Sequence, residues 1–230
     1  MVEEKFIELS SLVCEPSRAR MLWNLLDGKA YTASELAVAA DISPTSASNH
    51  LAKLLDANLL KAESQGRHRY FSFATPEVAY AVESLANLAS HQLPGKAKQT
   101  ETPTGVRYCR TCYDHLAGYV GVKIAEELTS RKLITSSEDS YTVTAKGWKW
   151  LADFDIAKDE ITSQRRPVAR QCLDWSERRP HIAGQIGALL LAKMLEKNWF
   201  KRVQFSRELI ITARGQKGIF DLLGIELESK

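Results

Sequence analysis

The chain has 230 residues, 44% hydrophobic and 26% charged, with a formal net charge of +3. That length supports two domains with separate cores, and the small net charge means that affinity for nucleic acid has to come from local clusters. No run of about 18 apolar residues is present, Met1-Val2-Glu3-Glu4-Lys5 does not read as an export signal, and the 4 cysteines are expected to stay reduced, so a cytoplasmic protein without a membrane partner is expected.

In chain order, Lys5 to Cys14 is an apolar-periodic helix with Phe6, Leu9, Leu12 and Val13 inward. A second helix is expected from Pro16 to about Leu26, with Ala19, Leu22, Trp23 and Leu26 on its core face and Asp27-Gly28-Lys29 closing it. Ser34 to Ala39 then reads as a short helix with Leu36 and Ala37 inward, broken by Asp41-Ile42-Ser43-Pro44. Ser43 caps the next helix and Pro44 takes its first position, where the missing N–H is harmless. Ala47, Leu51, Leu54 and Leu55 give that helix one buried face. Its other face carries Thr45, Ser46, Ser48, Asn49, His50 and Lys53, small polar groups and donors without an acid before Asp56, which suits a major groove. Leu59 to Ala62 and Tyr70 to Phe73 alternate as strands around Gln65-Gly66-Arg67-His68-Arg69, a basic tip placed to meet phosphates or a minor groove. After Thr75-Pro76, Glu77 to Leu93 is helical, with a stripe of Val78, Val82, Leu85 and Leu88 or Ala89.

This succession resembles the arsenic-repressor (ArsR) family of winged-helix regulators. The matching residues are Glu15-Pro16-Ser17-Arg18-Ala19-Arg20-Met21-Leu22, Ser48-Asn49-His50-Leu51, Leu54 to Leu60, and Gly66-Arg67-His68-Arg69-Tyr70, within residues 1–92. The resemblance implies a homodimeric DNA-binding transcription factor, usually a repressor, on an inverted-repeat operator of double-stranded DNA. It also implies that the first and last helices of the domain pair with a second subunit. Cys14-Glu15-Pro16 departs from the family, which commonly has aspartate before the proline. Neither of the family's metal patterns is present. Ser34 to Ala39 has no Cys-x-Cys pair, and the last helix offers only His91 with Glu83, so an arsenic response does not carry over.

The stretch from Pro94 to Val106 is polar, with two prolines and two glycines, and reads as a linker over 93–106. Beyond it lies an internal repeat, 107–157 and 170–226, in a C-terminal effector or sensor domain spanning 107–230. Cys112-Tyr113-Asp114-His115, Gly118, Gly121 and Thr144-Ala145-Lys146-Gly147 recur as Cys172-Leu173-Asp174, His181, Gly184, Gly187 and Thr212-Ala213-Arg214-Gly215. The second copy inserts Trp175 to Pro180 between its Asp and its His. The fold expected is mainly α with small β-wings: a winged helix-turn-helix followed by two pseudo-symmetric helix–hairpin–helix repeats. The glycines, each about 1 kcal/mol worse than Ala in a helix, suggest closely approaching helices that start at His115 and His181 and cross.

Several readings of the Cys/His constellation stand side by side. Cys109, Cys112, His115, Cys172 and His181 have the chemistry to bind a metal ion. Cys112, Tyr113, Asp114, His115, Cys172, Asp174, Trp175 and His181 are the candidates to line an effector site, which Tyr119 would help to wall for a small organic molecule. Thiol oxidation at Cys109 and Cys112 is a third reading, with Arg110 favouring thiolate. The plain alternative is a structural core in which Asp114 caps a helix beginning at His115 and the cysteines are small buried hydrophobes. No cofactor is required by any motif. Asp114-His115 beside Cys112 can be drawn as an activated thiol. However, no phosphate loop, nucleotide fingerprint, nucleophile elbow or paired-carboxylate cleft accompanies it, so no enzyme is expected.

Overall fold

The computed structural model describes residues 1–92, 102–162 and 166–228, the side chains of 90–92 excepted. Most of the expected linker, 93–101, and the side chain of His91 lie outside the described residues. The chain divides into two compact units, Met1–Ala86 and Asn87–Lys230.

The first unit is a winged helix-turn-helix built from α1 (Val2–Val13), α2 (Pro16–Leu25), β1 (Tyr31–Thr32), α3 (Ala33–Ala40), α4 (Pro44–Asp56), β2 (Leu60–Gln65) and β3 (His68–Phe73), with α5 (Pro76–Gln92) following. Glu15 is the N-cap of α2 and accepts from the backbone N–H groups of Ser17 and Arg18, so it does the capping expected of the shorter aspartate. The buried stripe of α2 is Arg18, Met21, Leu22 and Leu25. Ala19 and Trp23 are therefore not on the core face, which is rotated from the one expected. Phe6 also points outward, since α1 buries no residue completely.

A capping box between Thr32 and Glu35 starts α3, and Asp41, in the left-handed region at φ 56°, ends it. Ser43 Oγ accepts from the Ser46 N–H at 3.2 Å and starts α4, which buries Ala47, Leu51 and Leu54. The sheet order is β1-β3-β2. The two-residue strand β1 was not legible in the sequence; it pairs Tyr31 with Phe71 and Thr32 with Tyr70. Strands β2 and β3 run further than the alternation suggested, to Gln65 opposite His68, leaving Gly66 and Arg67 as the turn.

The second unit contains the element order hairpin, helix, hairpin, helix twice. The first series is β4 (Arg110–Cys112), β5 (His115–Ala117), α6 (Gly118–Ser130), β6 (Ile134–Ser136), β7 (Tyr141–Val143) and α7 (Ala145–Asp153). The second is β8 (Arg170–Leu173), β9 (Pro180–Ala183), α8 (Gly184–Glu196), β10 (Phe200–Arg202), β11 (Leu209–Ile211) and α9 (Ala213–Leu223). A hairpin thus precedes each long helix, and His115 and His181 lie in strands, not at helix starts. Asp114 accordingly sits in a hairpin turn and caps no helix.

The two series are interleaved. Thr111 N–H donates to Arg207 O and Leu209 N–H to Cys109 O, tying β4 to the second series. Reciprocally, Tyr141 N–H donates to Ala169 O and Gln171 N–H to Asp139 O, tying β8 to the first. Helix α6 lies against β9, and α8 against β5. The close approach made by the glycines is therefore helix to strand. A Cβ on Gly121 would stand 2.6 Å from Leu116 O, and one on Gly187 would stand 2.3 Å from Ile182 O and 3.2 Å from His115 Cβ. One core spans both series, including Leu116, Val120, Ile124, Ile182, Ile186 and Leu190.

Candidate functional site

Two constellations stand out. The first is the outer face of α4 with the hairpin that follows it. Pro44, Thr45, Ser48, Asn49 and Lys53 are exposed and Ser46 is half-buried. The Ser48 hydroxyl donates to Pro44 O at 3.0 Å, which fixes its rotamer and turns its lone pairs outward to accept. His50 behaves differently: its Nδ1 lies 3.2 Å from Arg18 Nη1 and 3.5 Å from Glu15 Oε2, so its ring is tied inward to the α1–α2 junction. Arg18 completes that junction by donating to Leu12 O and Ser11 O. His50 therefore positions α4 and is turned away from the face on which the sequence placed it. At the hairpin tip Gln65, Arg67, His68 and Arg69 are all exposed. The Arg69 guanidinium sits 5.4 Å from the Phe71 ring centroid, leaning back along the strand, whereas Arg67 occupies the turn itself.

The second constellation is buried in the second unit. In β4–β5 Cys112 is directly opposite His115, and in β8–β9 Cys172 is directly opposite His181. The insertion Trp175 to Pro180 lengthens the second loop and adds the pair Leu173–Pro180 to the ladder, so both hairpins still present the same Cys/His pair. Interleaving brings the pairs together: the two imidazole centroids are 5.1 Å apart and the two sulfurs 3.8 Å apart. One ligand atom from each of Cys112, His115, Cys172 and His181 falls within 4.8 Å of the other three, and all four residues are buried. Four donor atoms that close together can share one ion. Cys109 is not in it. Its side chain packs in the main core with Tyr108 and Leu116, and burial pushes its thiol pKa far up, against the pull of Arg110. It is an inert thiol rather than the activated one anticipated.

A polar shell surrounds the four. Asp114 Oδ1 is 3.2 Å from His115 Nδ1, and Asp114 also meets Arg166 Nη1 at 2.8 Å. Asp174 Oδ2 is 3.3 Å from His181 Nδ1 and accepts from Arg110 Nη2 at 2.8 Å and from the Gly118 N–H at 2.7 Å. Its other oxygen accepts from Ser176 and Glu177. Burial alone would raise the Asp174 pKa, but His181 and Arg110 outweigh it and hold the carboxyl well below the ordinary carboxylate range. Asp114 is lowered by the same kind of balance, burial opposed by His115 and Arg166. Burial opposes charge on both imidazoles, yet Cys112 and Asp114 raise the pKa of His115, and Asp174 and Cys112 lift that of His181 to about 9. Trp175 lies over the Arg110 guanidinium, 4.2 Å from its ring centroid, and screens that buried charge from solvent. Tyr113 is the first turn residue of β4–β5, at φ 57°. The sequence named these residues, but the Arg110 and Arg166 partners gave no signal there, since one was read only as a neighbour of cysteine.

Comparison with known proteins agrees with the first constellation. A helix-turn-helix domain family model matches residues 14–63. The uncharacterized HTH-type transcriptional regulator YdfF of Bacillus subtilis is 40% identical over 209 residues, covering 91% of this chain and 92% of YdfF. Among solved structures, the homodimeric winged helix-turn-helix DNA-binding domain of Mb0332 from Mycobacterium bovis is 22% identical, with a TM-score of 0.37, covering 40% of this chain and 84% of that one. HlyU from Vibrio cholerae is 24% identical, with a TM-score of 0.35, covering 37% and 92%. Those two likenesses are too slight to bear on function. The match to YdfF runs through both units, and by it the chain belongs to the HTH-type transcriptional regulators.

Proposed function

We propose that the protein is a homodimeric repressor that reads an inverted-repeat operator in double-stranded DNA and is released by an effector received in its C-terminal unit. The observation that carries the reading is the pairing of an exposed, acid-free face on α4 with an exposed basic hairpin tip. Pro44, Thr45, Ser46, Ser48, Asn49 and Lys53 would meet base edges and adjoining phosphates in the major groove. Gln65, Arg67, His68 and Arg69 would lie on the backbone or in the neighbouring minor groove. His50 would act through α4, by fixing its position.

Dimerisation is supported by large apolar side chains left exposed on the two helices that the ArsR-like resemblance assigns to pairing, Phe6 and Ile7 on α1 and Leu85 and Leu88 on α5. The domain reading that goes with this is 1–92 for DNA binding and dimerisation, 93–106 as linker, and 107–230 as the effector domain, built of two copies of one unit about an approximate twofold. No described helix is long and apolar enough to cross a membrane. A cytoplasmic, non-enzymatic regulator is the reading that fits a DNA-binding function. The effector site is the buried Cys/His centre with its shell, Cys112, Tyr113, Asp114, His115, Cys172, Asp174, Trp175 and His181.

Footprinting of the full chain on the DNA upstream of its own coding sequence tests the proposal. The expected result is a protected inverted repeat with half-site centres about 10–11 bp apart or a multiple of that, since two recognition helices enter successive major grooves. Protection of a single, unrepeated site would remove the homodimer from the account.

A further inference from the structure

The buried centre has a composition and geometry that select one class of ligand. Its four donors are two sulfurs and two imidazole nitrogens, a soft set that disfavours magnesium and calcium. The sulfurs are 3.8 Å apart. A disulfide needs about 2.05 Å, whereas two thiolates on a tetrahedral ion at bond lengths of about 2.3 Å stand about 3.8 Å apart. Each histidine turns Nδ1 toward a carboxylate, Asp114 for His115 and Asp174 for His181. That arrangement leaves Nε2 as the nitrogen with a lone pair to give, and both Nε2 atoms are buried without a hydrogen-bond partner. A carboxylate on the far nitrogen is the device that orients metal-bound imidazoles and raises their basicity.

Charge narrows the choice further. Asp174 is neutralised by Arg110, and Asp114 by Arg166. Two thiolates and two neutral imidazoles then balance a divalent cation, whereas a monovalent one would leave a net negative charge in a buried place.

We propose that Cys112, His115, Cys172 and His181 form a closed tetrahedral Cys2His2 site for one zinc-class divalent ion per chain, joining the two interleaved series at their first hairpins. Binding takes two thiolates and two neutral imidazoles, so the two thiol protons, and any proton the imidazoles carry beforehand, are released to solvent. All four positions are filled by protein, so the ion has no open site for catalysis. The ion thereby gives the effector site its ligand class. Only its regulatory consequence rests on the reading above, because binding itself is measured without DNA.

The test is titration of the reduced full chain with cobalt(II), followed by displacement with zinc. The expected result is one cobalt per chain, with the visible ligand-field bands of a tetrahedral ion, a sulfur-to-cobalt charge-transfer band, and loss of both on adding one equivalent of zinc. Cys109→Ser should reproduce the spectrum unchanged, Asp114→Asn should weaken binding about 10- to 100-fold, and Cys172→Ser should lose about half of the charge-transfer intensity or more, since one of two thiolate ligands is gone. If Cys172→Ser fails to fold, alkylation of the wild type serves instead: zinc should protect Cys112 and Cys172 while Cys14, which is exposed, reacts freely. An octahedral cobalt spectrum, no binding at concentrations equal to that of the protein, or zinc-independent labelling of Cys112 and Cys172 would overturn the proposal. So would a Cys112–Cys172 disulfide forming in a chain whose reduced state binds no ion. Operator binding is a separate measurement, so a failure of the metal site and a failure of the DNA reading are distinct results.

Discussion

Two hairpins in this chain share a backbone plan and differ in almost everything else. Gln65-Gly66-Arg67-His68 and Cys112-Tyr113-Asp114-His115 both join antiparallel strands through two residues, and both hold the first of these in the left-handed region, Gly66 at φ 61° and Tyr113 at φ 57°. The first stands in solvent, where its basic side chains keep their hydration and remain available to a large anionic partner. The second is half-buried at its turn and buried at Cys112 and His115, where each polar atom needs a partner: the Asp114 carboxylate finds Arg166, and His115 Nε2 finds none. The same connection therefore serves as a probe in one unit and as half of an ion cage in the other. Burial, not backbone, decides which.

The largest expected effect that sharpens this contrast concerns Asp174. It is fully buried with Arg110, so Asp174→Ala leaves an uncompensated guanidinium and should lower stability by about 3–5 kcal/mol in urea unfolding. The exposed pair of the wing, Lys61 with Glu63 at 2.8 Å, should cost far less in Lys61→Ala, because solvent screens it. Similar losses at the two sites would mean that the shell of the buried Cys/His centre, to which Asp174 belongs, is not shielded as described.

Next come the glycines. Gly187→Ala forces a methyl group against Ile182 O and His115 Cβ, both fixed by the hairpins, and should destabilise by about 1–3 kcal/mol. At Gly66 an added Cβ meets nothing within 4 Å, so Gly66→Ala should lose only the backbone preference, about 1 kcal/mol. Thermal melts of the two variants check the order; the reverse order would break it. The smallest stability effect is expected at the wing tip. Arg67→Ala and Arg69→Ala should each stay within about 0.5 kcal/mol of wild type. Each phosphate contact removed should reduce the log–log salt slope of DNA binding by about 0.9. An unchanged slope in both would remove the wing from the DNA backbone.

The contrast also explains what was legible in the sequence. Ser43-Pro44 announces the start of α4 because capping chemistry is local, and the four apolar positions that follow fix its buried face. The repeat was visible because Thr-Ala-basic-Gly is needed twice for one local reason: Thr144 and Thr212 each accept from the N–H of the glycine three residues on. Three-residue strands such as β4 and β5 carry too few positions for an alternating pattern, so the sequence alone predicts helix starts at these hairpins and a cap at Asp114. Apolar periodicity places Trp23 and Ala19 on the core face of α2, but the buried Arg18, held by Leu12 O, Ser11 O and His50, displaces the apolar stripe. The inward turn of His50 depends on that same long-range partner and could not be read from the α4 sequence. The cysteines and histidines were named, but their convergence depends on the interleaving of the two series, which no local signal encodes.

The central claim, that α4 reads base sequence, is tested most directly by fluorescence anisotropy of the full chain on its footprinted site and on a scrambled duplex of the same length and composition. The site should bind at least about 1,000-fold more tightly at physiological salt. In the variant carrying both Ser48→Ala and Asn49→Ala that ratio should shrink toward one while the melting temperature holds. Equal affinity of the wild type for the two duplexes would contradict the account.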